Sequence, residues 1–157
     1  MRGAAYLRAS YLDGFQALVL ARGGNPTELM AEAQMGVIPT ESHRYLINLE
    51  KFVQLLEISA QRLRYPELGL DLARQQDAAI FGPLLQKVSL CQSLDQALVT
   101  IIEYLQLQVS GVHITLSRSQ GAAKLCMHTP LASLVDQPQY QSYSLAILYS
   151  TIRSIMG

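Results

Sequence analysis

At Gly111 the spacing of apolar residues switches from the period of a helix to that of a strand, and this switch fixes the fold class. Before it, Ser93-Leu94-Asp95-Gln96 has the form of a capped helix start, with Ser at the cap and Gln three residues on. Leu94, Ala97, Leu98, Ile101, Ile102 and Leu105 then make an unbroken apolar stripe, the centre of the expected core. Beyond Gly111, Val112, Ile114 and Leu116 alternate with His113, Thr115 and Ser117, as on a half-buried strand. A second strand covers roughly 123–129, with Leu125 and Met127 on its apolar face. A two-residue turn at Gln120-Gly121 places Ile114 opposite Met127 and Leu116 opposite Leu125, so both apolar faces coincide. One hairpin is marginal by itself, so the sheet is expected to be completed by another chain or by residues beyond Gly157.

The rest reads as helices. Leu7, Tyr11, Phe15, Leu18 and Val19 predict one helix over 4–22, stopped by Gly23-Gly24. Asn25-Pro26-Thr27-Glu28 restarts a short helix that ends near Gly36. Residues 37–47 form a connection, and Asn48 caps a helix to about Arg64 whose face is Phe52, Leu55, Leu56, Ser59, Ala60 and Leu63. Tyr65-Pro66 breaks it. Short helices follow over 67–74 and from Gly82-Pro83 to near Ser89. A closing helix over 139–156 carries Leu145, Leu148, Tyr149, Ile152, Ile155 and Met156 on one side. The expected fold is α+β and predominantly α, a single domain over 1–157 with about six to seven helices and one small antiparallel hairpin.

Twelve basic residues balance 12 acidic ones without a run of either sign. This argues against DNA or anionic membrane contact by the segment itself, since both need clustered Lys and Arg. Every apolar run is interrupted well short of a membrane span, and the N-terminus has no secretory pattern, so a cytoplasmic location is expected. Cys91 and Cys126 are isolated and read as free thiols. The hairpin register brings His113 opposite His128, with Cys126 on the same side; a solvated strand face accounts for them better than a metal site, and His43 lies far off in the connection. Asp71, Arg74 and Asp77 read as surface charges. No nucleophile with a base and no phosphate loop is visible, so neither an enzyme nor a cofactor is expected. Tyr104, Tyr140, Tyr143 and Tyr149 lie on or near the two strongest helices and suit core edges, an interface or a pocket wall.

Pro66-Glu67-Leu68-Gly69-Leu70, Leu72-Ala73-Arg74, Phe81-Gly82-Pro83-Leu84, Ser93-Leu94-Asp95-Gln96-Ala97-Leu98 and Tyr104-Leu105, with a final Ile152-Arg153-Ser154-Ile155-Met156-Gly157, carry a resemblance. The chain resembles the N-terminal, arabinose-binding-like regulatory domain of AraC-type transcription regulators. The resemblance implies an effector-sensing or dimerising segment, cut off before the family's remaining strands and its helix-turn-helix units. Its expected partners are a small-molecule effector and a second copy, with DNA reached only through the absent C-terminal part and no membrane contact. No ligand-binding residue follows from the resemblance, because the matching residues are those of packing and turns. Leu145, Leu148, Tyr149 and Ile152 are the residues expected to face a partner. The alternatives are a free-standing dimerisation or antagonist module and a carrier of a small apolar ligand.

Overall fold

The computed structural model describes residues 4–38, 45–76, 82–129 and 136–156. Its elements in order are β1 (Tyr6–Arg8), a 3-10 turn (Ala9–Leu12), α1 (Phe15–Ala21), α2 (Pro26–Glu32), β2 (Leu46–Asn48), α3 (Leu49–Arg62), α4 (Leu68–Gln75), α5 (Gly82–Val88), α6 (Leu94–Gln108), β3 (His113–Ser119), β4 (Ala122–His128) and α7 (Pro138–Met156). The fold is α+β and predominantly α, with two antiparallel two-stranded sheets among the described residues.

The hairpin has the expected register, Ile114 against Met127 and Leu116 against Leu125. Its turn residues Gln120 and Gly121 both have positive φ, 46° and 80°, which matches the twist of the strands they join. The expected caps also form. Asn25 Oδ1 accepts from the amides of Thr27 and Glu28, Asn48 Oδ1 from Lys51 and Ser93 Oγ from Gln96. Gln96 reaches back to the amide of Gln92, one residue before the cap. At the end of α3, Arg64 takes a left-handed φ of 49°, and the Tyr65 amide donates to the Ala60 carbonyl at 2.8 Å. That closes the helix before Pro66.

The N-terminal segment departs from expectation. The single helix over 4–22 is instead a strand, a 3-10 turn and a short helix, with Gly14 at φ 85° as the joint. Tertiary pairing overrides the helix-like spacing. β1 pairs with β2, so the connection expected over 37–47 gives way to a strand from Leu46, and Leu7 also bridges to Val109. Tyr6 and Ser110 exchange hydrogen bonds, with the Tyr6 amide 2.7 Å from Ser110 Oγ and the Ser110 amide 2.8 Å from the Tyr6 carbonyl. The five apolar residues of the presumed stripe are all buried all the same.

α7 departs in sidedness. Its inward face is Tyr140, Tyr143, Ser144, Ile147, Leu148 and Thr151, all buried. Ser144 and Thr151 return their hydroxyls to the carbonyls of Tyr140 and Ile147, at 2.7 and 2.8 Å, so they cost the core no unpaired donor. Leu145, Tyr149 and Met156 from the aliphatic stripe point outward, at 62%, 62% and 66% exposure. The N-terminus of α7 is held from two sides. Glu57 of α3 accepts from the Gln139 amide at 2.7 Å. The Gln139 side chain in turn accepts from the Gly69 amide at 2.9 Å and donates to the Pro66 carbonyl at 2.8 Å. Burial pushes the Glu57 carboxyl above its ordinary range, against the opposing pull of the Gln139 and Tyr140 amides.

Candidate functional site

The two ends of the chain meet around one cavity. Leu7 of β1 and Tyr11 of the 3-10 turn form one wall, and Leu105 and Val109 at the end of α6 form another. Val112, Ile114 and Met127 close it from the hairpin, and Tyr140, Tyr143, Ser144, Ile147 and Leu148 from α7. Its volume is about 40 Å³. The apolar face of the hairpin is therefore covered within the chain by helices, which is how a two-stranded sheet persists.

A buried amide fixes this arrangement. Gln76, just past α4, donates through Nε2 to the carbonyls of Tyr11 (2.7 Å) and Asp13 (3.1 Å). Its Oε1 accepts from the Tyr143 hydroxyl at 2.6 Å. Tyr143 also packs edge-on against Phe52, with ring centroids 5.4 Å apart, and lies 6.4 Å from the Tyr11 ring. Burial raises the Tyr11 and Tyr143 phenols well above their ordinary range, so both stay neutral and keep a proton to donate. Replacing Gln76 by Leu leaves the Tyr143 hydroxyl only its longer, 3.4 Å contact with the Tyr11 carbonyl and takes the side-chain donor away from the Asp13 carbonyl. The expected loss is about 2–3 kcal/mol in chemical denaturation, while Tyr143→Phe, which frees only the Gln76 oxygen, costs about 1–2 kcal/mol.

The tyrosines expected at core edges, an interface or a pocket wall separate accordingly. Tyr140 and Tyr143 line the cavity, Tyr104 is half-buried and Tyr149 is exposed. Tyr11 and Gln76 carried no signal of a site in the sequence, since the first looked like one more member of a helix stripe and the second like a polar residue at a helix end. Of the four residues expected to face a partner, Leu145 and Tyr149 are exposed, Ile152 is half-buried, and Leu148 is buried within the chain. Outside the cavity these four border an apolar groove with Leu94 and Leu98 of α6, Ala123 and Leu125 of β4, and Met156. Leu148 lines both the cavity and this groove.

The other charged and ligating groups do not converge on the cavity. His113 faces His128 across the hairpin, and Cys126 pairs with Thr115. His128 Nε2 lies 3.3 Å from Thr115 Oγ1. Among the described residues, no three His, Cys, Asp or Glu side chains gather in a way that could hold a metal ion. Asp71 pairs with Arg74 at 3.1 Å and accepts from the Tyr65 hydroxyl; that hydrogen bond is the main cause holding its carboxyl below the ordinary range. Arg22 stacks over the Tyr65 ring at 3.6 Å. His43, Asp77 and Phe81 lie outside the described residues. No helix among the described residues is long and apolar enough to cross a membrane.

Residues 23–157 match the family described as the arabinose-binding domain of AraC transcription regulators, N-terminal. Two relatives, each an HTH-type transcriptional regulator VirS from a strain of Mycobacterium tuberculosis, are 29% identical over 121 residues, 76% of this chain. The chain spans 35% of the length of these relatives.

Proposed function

Because the chain belongs to the family of N-terminal arabinose-binding domains of AraC transcription regulators, we propose that it senses a small effector and pairs with a second copy of itself. In doing so it would bias DNA binding by helix-turn-helix units in the rest of a longer, cytoplasmic bacterial polypeptide. The supporting observation is Leu148, one wall of both the inner cavity and the outer groove. An occupant of the cavity that moves Leu148 also reshapes the face offered to a partner. Effector binding and pairing then share a coupling free energy, and each alters the other by the same factor. The relatives' description as HTH-type transcriptional regulators agrees with an output on DNA.

Pairing is read by sedimentation velocity from low to high micromolar concentration. The expected result is a concentration-dependent dimer that Leu145→Glu and Tyr149→Glu each convert to a monomer. Both side chains are 62% exposed, so the variants should keep their thermal midpoint within about 2 °C. A wild-type chain that remains monomeric throughout, or variants that still dimerise, would remove this face from the account.

A further inference from the structure

Among the described residues two buried side-chain oxygens have no hydrogen-bond partner, Ser59 Oγ and the Tyr11 hydroxyl, and of these two residues only Tyr11, 5% exposed, lines the cavity. A buried hydroxyl without a partner is costly, and native chains rarely retain one without a use for it. The other hydroxyls in the wall have already given their protons to protein acceptors. Tyr143 gives its proton to Gln76, and Ser144 bonds to Tyr140 through both backbone and side chain. Among the described residues, no Lys, Arg, His, Asp or Glu lines the cavity. A charged occupant would therefore be desolvated with no counter-charge in the wall itself, the Arg8 charge reaching Tyr11 only from outside it.

Resting on the reading of this chain as an effector-sensing domain, we propose that the cavity binds a neutral, compact, largely apolar molecule whose one oxygen acceptor is held by the Tyr11 hydroxyl. The wall sets the class. An apolar body fits the aliphatic and aromatic lining, and a carbonyl or ether oxygen takes the phenol proton. The present volume of about 40 Å³ admits only a few heavy atoms. A ring-sized ligand must displace part of the wall, and Met127 is the suited element, half-buried on β4 with an unbranched, adaptable side chain.

The test is an NMR titration of the wild-type chain, followed through the methyl signals of Ile147 and Leu148, with cyclopentanone, cyclopentane and cyclopentanecarboxylate as probes. Cyclopentanone should bind at least about tenfold more tightly than cyclopentane, the equivalent of about 1.4 kcal/mol. The carboxylate should bind more weakly than the ketone. Tyr11→Phe should abolish the ketone's advantage, leave hydrocarbon binding in place, and leave the thermal midpoint unchanged or raised. Equal binding of ketone and hydrocarbon, indifferent to Tyr11→Phe, would overturn the Tyr11 assignment while the cavity stays the effector site. Preference for the carboxylate would overturn the neutral class. Binding of none of the three would overturn this proposal outright; the wider reading would then stand or fall separately on the sedimentation result. A clear loss of stability in Tyr11→Phe would show that the hydroxyl serves the fold and would also overturn the proposal.

Discussion

Leu148→Glu is expected to unfold the chain, not merely to separate two copies of it. Leu148 is 9% exposed and sits among Leu7, Leu105 and Ile147 at the cavity wall on one side and Leu98 and Leu125 at the groove on the other. Removing a buried Leu side chain costs about 2–5 kcal/mol before any charge is added. A carboxylate there finds no cation among the residues lining either space, so its burial adds several kcal/mol more, roughly. The sum rivals the whole stability of a typical domain, about 5–15 kcal/mol. The variant should lose its cooperative thermal transition or be recovered only as aggregate. Leu145→Glu, three residues away on the same helix and 62% exposed, should unfold with a near-normal midpoint. If Leu148→Glu folds normally and becomes monomeric, Leu148 belongs to the interface and the described packing of α7 is wrong at that point.

Gly69→Ala should be strongly disruptive for a change of a single methyl group. Gly69 lies within α4, where glycine costs about 1 kcal/mol relative to alanine on helix propensity alone. On that ground the substitution should stabilise. A Cβ at this position, however, would sit 2.2 Å from the Gln139 carbonyl oxygen and 2.9 Å from its carbonyl carbon. Both are backbone atoms of α7 and cannot swing aside. The two helices would have to separate. That separation would stretch the Gly69–Gln139 hydrogen bond of 2.9 Å and pull the Gln139 amide from Glu57. Overpacking of this kind costs about 1–3 kcal/mol, occasionally more, and the lost hydrogen bonds raise it to about 3–4 kcal/mol. Calorimetry should show the midpoint falling by about 10 °C. An unchanged or raised midpoint would mean that helix propensity governs the position and that α4 and α7 are not in close contact.

The same two sites show what could be read from the sequence. Local rules carried the hairpin register, the caps at Asn25, Asn48 and Ser93, and the burial of Ala97, Leu98, Ile101 and Leu105 on α6, because each depends on neighbours a few residues away. The stripe is not buried throughout: Leu94, in the first turn at the edge of the outer groove, is 52% exposed, and Ile102 is half-buried. Gly69 carries only a helix-breaking signal in sequence; its reason for being glycine is the backbone carbonyl of Gln139, far along the chain. The N-terminal segment misled for a similar cause. Leu7, Tyr11 and Phe15 have helical spacing, but the hydrogen bonds of Tyr6 and Leu7 go to Ser110 and Ile47, which no local pattern announces. On α7, periodicity separated two faces but could not say which one the core takes. Leu145, Tyr149 and Met156 of the expected stripe lie outward, while the core takes Leu148 from it together with Tyr140, Tyr143, Ile147 and Thr151, whose polar atoms find partners only in the folded chain. Tyr11 and Gln76 went unnoticed as site residues because their significance is relational: an unpaired hydroxyl beside a cavity, and an amide whose donors and acceptor all belong to distant segments.

The most direct test of the account joins this chain to a monomeric DNA-binding unit and measures occupancy of two adjacent half-sites by gel shift. The wild-type fusion should fill both half-sites cooperatively at concentrations where the unfused unit does not. Leu145→Glu should abolish that cooperativity without weakening binding to one half-site, and cyclopentanone should change its strength in the wild type at concentrations about tenfold below those needed in Tyr11→Phe. A folded wild-type fusion that fills the half-sites independently, with and without the ketone, would contradict the account at its centre.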